Sequence, residues 1–372
     1  MLRTSDLDYD LPESAIATTP AEPRDAARML VTRIGSDAPA LHAHVRDLPS
    51  YLNPGDLLVV NQTRVLPARV EGVREDTGGR VEGLYLRGEP GPPRTWTLML
   101  QAKRPREDAV ITLAGAVRFR LLAPLPDEPG AWRAELMDGL ARPDETDAEI
   151  LARIGATPLP PYIRGARKRA GIDVADAADR ERYQTVFAER DGASVAAPTA
   201  GLHLTPDLLA RLRAHGVGFA AVTLHVGTGT FRSVETEFIE QHPMHAEWCA
   251  MPVATRDLIA ATRSRGGRVV CVGTTSARTV EAFALAAEEG PAPEWLETRL
   301  LITPGYRWRS TDALLTNFHL PRSTLLALVA SRLASPGDDA ASAVTRLKTL
   351  YADALARGYR FYSYGDATLI LP

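Results

Sequence analysis

The sequence predicts an α/β fold, in which a large mixed α/β domain carries a small inserted domain of antiparallel strands. Two observations predict it. Apolar runs rich in β-branched residues, at 57–60 and 217–226, are typical of strands buried on both faces, and segments of helical periodicity alternate with them. Residues 68–140 instead alternate apolar with polar side chains, which is typical of strands with one buried face.

The composition limits the class of protein. The chain has 372 residues, enough for two domains or for one large domain with an insertion. Its two cysteines, Cys249 and Cys271, argue against a disulfide framework, and no stretch approaches membrane-spanning length, so we expect a cytoplasmic protein. The net charge of −3 excludes a simple electrostatic argument for nucleic-acid binding, which must then depend on local basic clusters.

In the N-terminal part, Met29 begins a strand, and a turn at residues 53–56 leads into the buried strand 57–60. That strand ends in four polar residues, Asn61-Gln62-Thr63-Arg64. Four polar side chains at the end of a buried strand suit a binding site, but a strand running out into solvent explains them equally well. Spacing alone therefore leaves both interpretations open.

The inserted segment consists of short strands of period 2. Trp96, Leu98 and Leu100 alternate with polar residues, and Phe119 and Trp132 lie in two further strands of this kind. Clusters of glycine and proline separate the strands at 77–79, 88–93 and 126–130. Several short strands at this spacing predict a small barrel or a sandwich.

A proline-rich connector follows at residues 157–164, and we expect it to be extended. It leads into the one local basic cluster, which consists of Arg164, Arg167, Lys168 and Arg169. These side chains suit the phosphates of a nucleic acid, but a solvated loop accounts for them slightly better.

The central segment 198–231 predicts a helix followed by a strand. Thr205 is placed as the N-cap, Pro206 occupies the first helical position, and Gly216 ends the helix. Two histidines, His203 and His225, lie with small and hydroxyl residues where strands should end. Ligands of open α/β sheets bind at the carboxyl ends of the strands, so we expect a site here.

A loop at residues 241–248 holds His242, His245 and Glu247 close together. A metal site needs further ligands, and Pro243 prevents a helix from placing both histidines on one face. We therefore expect no metal, and acid–base or substrate-positioning groups are the better interpretation. A buried histidine bound to the backbone remains the alternative.

The segment 268–273 predicts a strand, and Thr274, Thr275 and Ser276 open the helix that follows, to about Glu288. Free N–H groups and the dipole of a helix N-terminus favour a carboxylate or a phosphate. The segment lacks the lysine of a Walker A loop and the glycine spacing of a dinucleotide-binding turn.

Near the C-terminus, Asn317 and His319 lie in an apolar strand-like run and project to the same side if it is extended. Pro321 is expected to begin a helix that runs to Leu333. Residues 359–366 are best explained, on sequence alone, as an edge strand with a tyrosine-rich face.

Several of these motifs are long and chemically unusual: Arg182-Tyr183-Gln184-Thr185-Val186-Phe187 and residues 198–205, 225–231, 52–69, 160–164, 314–321 and 359–366. Together they resemble the S-adenosylmethionine:tRNA ribosyltransferase-isomerase family of queuosine biosynthesis over nearly the whole chain. One departure is Gln62, where the family usually has Asp. The exchange weakens an acid–base role at that position and leaves hydrogen bonding.

The resemblance implies a β-barrel for the insertion, with the barrel domain at 67–154 and the large domain at 1–66 and 155–372. It implies transfer of the ribosyl part of the co-substrate S-adenosylmethionine to 7-aminomethyl-7-deazaguanine at the wobble position of tRNA. Isomerisation to an epoxycyclopentanediol gives epoxyqueuosine, and adenine and methionine leave. No metal is required, tRNA and S-adenosylmethionine are the partners, a membrane is not involved, and we expect a monomer.

This chemistry needs a base at the ribose 5′-carbon, beside the sulfonium, and an acid to help adenine depart. The candidates for proton transfer are His203, His225, His245 and His319, with Glu247 orienting one of them. Candidate substrate-binding residues are Asn61, Arg64 and Asn317 for hydroxyl or base contacts, Thr274, Thr275 and Ser276 for the amino-acid end, and also Thr228, Thr230, Arg278 and Tyr306.

Two other functions remain open. A tRNA methyltransferase using the same sulfonium would return S-adenosylhomocysteine, and it normally has a glycine-rich first strand–helix turn, which is absent near the N-terminus. A non-catalytic tRNA-binding protein would need a basic face, against which the net charge of −3 argues.

Overall fold

A computed structural model describes residues 1–89, 93–114, 117–137, 145–189, 194–225, 234–291 and 293–372. Thr228 and Thr230 lie outside the described residues. None of the helices in the described ranges is both long enough and apolar enough to cross a membrane.

Nine strands of the described chain form one sheet. Numbered in chain order, they are β1 (Arg28–Arg33), β2 (Leu41–His44), β3 (Leu57–Asn61), β10 (Gly218–Leu224), β11 (Glu247–Ala250), β12 (Val269–Val272), β13 (Trp295–Thr298), β14 (Ala313–Asn317) and β15 (Ala367–Leu371). Their order in the sheet is β13-β11-β10-β3-β12-β14-β15-β1-β2. The four neighbours β10, β3, β12 and β14 run parallel, so their carboxyl ends meet at one edge.

The remaining strands form the inserted domain. They are β4 (Arg69–Arg74), β5 (Arg80–Glu89), β6 (Thr95–Ala102), β7 (Val110–Leu113), β8 (Arg118–Pro124) and β9 (Ala131–Leu136). They close into an antiparallel barrel in the order β4-β5-β6-β9-β8-β7. Trp96 and Phe119, from strands on opposite sides of β9, are buried inside with ring centroids 5.0 Å apart. The predicted fold class is confirmed, and of the two alternatives that spacing left open the insertion is a barrel. The exact domain boundaries stay a prediction.

The helices of the described chain are α1 (Asp147–Ile154), α2 (Pro161–Ala170), α3 (Asp176–Arg182), α4 (Pro206–Ala214), α5 (Val253–Ser264), α6 (Thr274–Glu289), α7 (Thr324–Leu333) and α8 (Ala340–Ala356). Apolar side chains of α5, α6, α7 and α8 form a core on one face of the sheet, and those of α4 contribute to the core on the other face. Alternate residues of β3 and β12 enter the two cores, which explains why their sequences are continuously apolar.

The central helix forms as its sequence predicts. The Thr205 hydroxyl accepts a hydrogen bond from the Leu208 N–H at 3.1 Å, and Pro206 occupies the first turn. The chain then turns at Gly216, whose φ of 87° lies in the left-handed region that favours glycine. This places the start of β10 against β3, with Gly218 opposite Leu57.

The structure corrects two expectations in the middle of the chain. Residues 161–164 are the first turn of α2 and not part of an extended connector, because proline is tolerated where a helix needs no N–H donor. The basic cluster therefore lies on a helix, and most of its charge is paired. Arg164 pairs with Glu82, Arg167 with Asp179, and Arg169 with Glu13.

Two expectations near the C-terminus are also wrong. Residues 359–366 are a loop packed against the core, and the strand that follows, β15, lies between β14 and β1 and not at an edge. Helix α7 begins at Thr324, since the Ser323 hydroxyl accepts from the Leu326 N–H at 3.2 Å and caps the helix there. Pro321 precedes the helix.

Candidate active site

Some of the predicted site residues lie at the edge where the parallel strands end. Asn61 is the last residue of β3, His225 follows β10, Gly273 follows β12, and Asn317 ends β14. Beside them lies a cleft with about 670 Å³ of empty space, its open mouth included. The polar and aromatic residues that line it include Thr199, Thr274, Thr275, Asn317, His319, Tyr162 and Tyr362.

Asn61 joins three elements at this edge. Its side-chain amide donates to the Leu224 carbonyl at 3.1 Å and to the Thr275 hydroxyl at 3.3 Å. Its side-chain oxygen accepts from the Thr63 N–H at 3.1 Å and the Leu224 N–H at 3.2 Å. A buried amide with four partners has little capacity left for a ligand, so Asn61 fixes the ends of β3 and β10 relative to α6.

Asn317 fixes one wall of the cleft. Its side-chain oxygen accepts from the Thr199 hydroxyl at 2.8 Å, and its amide donates to the Tyr362 carbonyl at 3.2 Å. Tyr362 has a φ of 71°, an uncommon left-handed conformation for a bulky residue. Such strained residues persist where the surroundings over-determine them, and they cluster at functional sites.

The N-terminus of α6 forms the floor of the cleft. Gly273 precedes the helix with a φ of 89°, no side chain caps the first turn, and that turn contains no acidic residue. Thr274 and Thr275 line the cleft, whereas the Ser276 hydroxyl donates back to the Val272 carbonyl at 2.7 Å. An uncapped, uncharged first turn leaves N–H groups and the positive end of the helix dipole available for an anion.

His319 is the one predicted histidine that lines the cleft within the described chain. Its Nε2 lies 2.9 Å from the Thr316 hydroxyl, and the described residues give Nδ1 no hydrogen-bond partner. Its backbone is held by two tyrosines, since its N–H donates to the Tyr351 hydroxyl at 3.1 Å and its carbonyl accepts from Tyr9 at 2.5 Å. Burial lowers the pKa of His319 to about 4, so the ring is neutral at pH 7.

His203 is buried away from the cleft lining. Its two ring nitrogens lie 3.0 Å from the Ala200 carbonyl and 2.9 Å from the Gly365 carbonyl. Burial is the main cause that lowers the pKa of this imidazole. The ring thus ties the short 3-10 helix Thr199–His203 to the loop that contains Tyr362. A Cβ at Gly365 would lie 2.5 Å from the Arg360 carbonyl oxygen, so only glycine fits that turn.

His225 lies at the outer margin of the same edge. Its Nδ1 is 3.2 Å from the Thr63 hydroxyl, and its ring stacks on Trp295 with centroids 6.3 Å apart. Burial lowers the pKa of His225. The ring is half-buried and therefore accessible from the open side.

The structure gives Glu247 a different partner from the histidine expected of it. Its carboxylate forms a buried ion pair with Arg278, on the second turn of α6, and the Arg278 Nε donates to the Leu300 carbonyl at 3.1 Å. His245 is exposed on the loop before β11. These three residues lie outside the cleft lining, and their roles toward a substrate stay predictions.

Arg64 and Tyr306 also lie outside the cleft lining. The Arg64 Nε donates to the Glu189 carbonyl at 2.6 Å, and the Tyr306 hydroxyl donates to Glu281 at 3.1 Å. Glu281 is fully buried and also accepts three backbone N–H bonds from residues 309–311, so Tyr306 belongs to a structural cluster under α6. Substrate contacts of both residues stay predictions.

Several cleft residues were not singled out as site residues by the sequence. Thr199, Thr316, Tyr162 and Tyr362 all line the cleft, and the rings of the two tyrosines lie 4.5 Å apart. All four belong to motifs that carry the family resemblance, but nothing in the local pattern says that α2 and the C-terminal loop meet. No group of three or more His, Cys, Asp or Glu side chains that could hold a metal occurs in the described ranges.

The buried ring of His319 predicts a pH dependence of stability. Since the folded pKa is about 4 and that of an unfolded histidine is ~6.5, the unfolded chain binds more protons between these values. The free energy of unfolding is therefore unaffected by this group above about pH 6.5 and falls as the pH drops toward 4, by about 3 kcal/mol in all. We expect His319→Gln to flatten the curve from urea unfolding at pH 7, 6 and 5. Equal slopes for both proteins would contradict the assignment.

Comparison with known proteins gives one consistent result. The chain matches the family model described as "Queuosine biosynthesis protein" over residues 4–370. It is 47% identical, over 372 aligned residues, to the S-adenosylmethionine:tRNA ribosyltransferase-isomerase of Gloeobacter violaceus, which covers 99% of this chain and 96% of that protein. It is also 47% identical to the protein of the same name from Phenylobacterium zucineum, with 99% of each chain covered.

A solved structure shares the fold. The crystal structure of S-adenosylmethionine tRNA ribosyltransferase from Thermotoga maritima aligns with a TM-score of 0.51 and 29% identity, covering 99% of this chain and 100% of that chain. Its likeness therefore extends over the sheet and the barrel together.

Proposed function

The chain belongs to the queuosine biosynthesis protein family, and from that premise we propose how it acts on its substrates. It is a transferase that moves the ribosyl group of S-adenosylmethionine to 7-aminomethyl-7-deazaguanine at the tRNA wobble position and isomerises it. The products are epoxyqueuosine-tRNA, adenine and methionine. S-adenosylmethionine is a co-substrate, and we assign no metal to the reaction.

The observation that carries this proposal is the cleft at the carboxyl ends of the four parallel strands. It combines an uncapped helix N-terminus, which suits a carboxylate, with a neutral histidine and a pair of tyrosine rings. We propose that the first turn of α6, with Thr274 and Thr275, binds the carboxylate of the methionine part. The ribose then extends toward His319 and Asn317 on the neighbouring wall.

We assign His319 as the base at the ribose 5′-carbon. We assign the tautomer in which Nε2–H donates to the Thr316 hydroxyl, which leaves the lone pair of Nδ1 for the substrate. The sulfonium acidifies the adjacent C–H, and proton transfer gives a net-neutral sulfonium ylide and a protonated ring, so the net charge of the cleft does not change. Burial, which lowers the pKa of the ring in the free protein, therefore opposes this step less than it opposes protonation of the ring from solvent. His225, at the outer margin of the sheet edge, and His245, on the loop before β11, remain the candidates for the acid that assists adenine.

We extend the proposal to the location, the oligomeric state and the domain boundaries of the protein. An enzyme that modifies tRNA meets its substrate in the cytoplasm, and we propose that location. We also propose that the chain acts as a monomer. The domain boundaries at 66/67 and 154/155 are part of the same proposal, with the barrel as a distinct unit that a tRNA could contact beside the cleft.

Product analysis tests the proposed function. The protein is incubated with S-adenosylmethionine and tRNA that carries the 7-deazaguanine precursor, and free adenine and methionine are followed by chromatography. We expect both to be released in equal amounts, and only with the precursor tRNA; tRNA with an ordinary guanine is the control. Release of S-adenosylhomocysteine would identify a methyltransferase instead, and tRNA binding without turnover would leave a non-catalytic protein.

A further inference from the structure

Two large aromatic side chains lie exposed on the outer strands of the sheet. Trp248 on β11 is 57% exposed, and Trp295 on β13 is 53% exposed. Trp295 pairs with Ala250 across the antiparallel strands, and Trp248 is two residues before Ala250. Because residues i and i+2 of a strand share a face, both tryptophans lie on one side of the sheet.

This surface is continuous with the candidate active site. The ring of His225 stacks on Trp295 with an interplanar angle of 23°, and the His225 N–H donates to the Trp248 carbonyl at 3.1 Å. His225 directly follows Leu224, which Asn61 connects to Thr275 in the cleft lining. The aromatic surface and the cleft thus share the carboxyl end of β10.

We propose that His225, Trp248 and Trp295 form a stacking surface for an unpaired nucleotide of the tRNA anticodon loop, adjacent to the wobble nucleotide. The inference rests on the proposed function, since it takes tRNA as the macromolecular substrate. A base that reacts in a protein cleft must leave its stack, which deprives its neighbour of a stacking partner. Exposed aromatic rings beside the cleft replace that partner, as they do in proteins that bind single-stranded RNA.

The charge of the protein favours stacking over phosphate contacts. The net charge is −3, and three of the four cations of the basic cluster on α2 are paired with carboxylates. A protein of this charge gains little affinity from counterion release, so contacts with the bases carry more of the binding.

The test compares Trp295→Ala with Trp295→Phe and with Leu41→Ala. Leu41 is a matched control because it is 61% exposed and lies on β2, at the opposite edge of the sheet. An anticodon stem-loop RNA carries 2-aminopurine next to the wobble position, and quenching of its fluorescence reports stacking. We expect Trp295→Ala to lose the quenching and to weaken binding about tenfold or more, whereas Trp295→Phe and Leu41→Ala behave as the unaltered protein.

Two results would overturn the stacking surface, and both can be distinguished from a failure of the proposed function. Unchanged quenching and affinity in both Trp295→Ala and Trp248→Ala would overturn it. So would a dimer in sedimentation that the Trp295→Ala variant abolishes, since a second copy of the chain would then occupy the surface. Binding is measured without turnover, so a protein that binds and quenches the RNA but releases no adenine refutes only the proposed function.

Discussion

Replacing His319 by glutamine is expected to lower kcat by about 10²- to 10⁴-fold, the usual contribution of a positioned general base. Glutamine retains a group that can hydrogen-bond the Thr316 hydroxyl, which lies 2.9 Å from the imidazole Nε2. It cannot accept the proton of the ribose 5′-carbon. We therefore expect the variant to bind S-adenosylmethionine with near-normal affinity and to fail at the chemical step. Single-turnover release of adenine at saturating precursor tRNA measures the effect.

A second histidine supplies the control. His215 is exposed at the C-terminal end of α4, and its Nε2 lies 3.0 Å from the Leu52 carbonyl, away from the cleft lining. His215→Gln is expected to leave the rate unchanged. If His319→Gln retains a rate within tenfold of the unaltered protein, His319 only shapes the cleft and the base is another group.

The pH profile separates a base from a positioning residue. The pKa of His319 in the free protein is about 4, so its ring is unprotonated, and thus able to act as a base, over the whole range from pH 5 upward. We therefore expect that His319 causes no decrease of kcat/KM near pH ~6.5, the ordinary histidine pKa, so His319→Gln should remove no such decrease. Such a decrease, if seen, belongs to the substrate or to another residue.

The elements around the cleft could be predicted because their signals are local. An N-cap at Thr205, a proline after it and a glycine at 216 define α4 within a dozen residues of chain. Continuous apolar runs mark β3 and β10, and residues at the ends of parallel strands must share an edge. Asn61, His225 and Asn317 lie at or next to strand ends along that edge, and their roles toward a substrate stay predictions.

Side-chain partners could not be predicted in the same way. Tyr162 and Tyr362 are 200 positions apart, and their 4.5 Å contact depends on where the chain places α2 relative to the C-terminal loop. In the sequence, His203 looks the same whether it is catalytic or structural. In the structure, backbone carbonyls lie within hydrogen-bond distance of both of its ring nitrogens, which a catalytic histidine would not have. A titratable side chain at a strand end indicates a site, but its remaining hydrogen-bond capacity decides whether it can serve a substrate.

The expected effect of Glu247→Ala on stability is large, about 3–5 kcal/mol of the free energy of unfolding. Both side chains of the Glu247–Arg278 pair are 7% exposed. Removing the carboxylate leaves a guanidinium buried without a counter-charge, and its Nη2 has no hydrogen-bond partner even in the intact described structure. Urea unfolding at pH 7 measures the loss. The exposed pair Arg3–Glu237, with side chains 59% and 63% exposed, is the control, and Glu237→Ala should cost less than about 1 kcal/mol.

A double variant shows whether stability is lost because the ion pair is missing or because the Arg278 charge is left buried without a partner. Glu247→Leu combined with Arg278→Met removes both charges and keeps apolar volume, so we expect it to be more stable than Glu247→Ala by about 2 kcal/mol or more. Arg278 lies one helical turn beyond Thr274, and loosening it disturbs the turn that binds the methionine carboxylate in our proposal. The double variant should therefore be more stable than Glu247→Ala, yet its KM for S-adenosylmethionine should be higher than that of the unaltered protein. Recovery of both would mean that Arg278 serves the fold alone and that the anion site depends only on the backbone of α6.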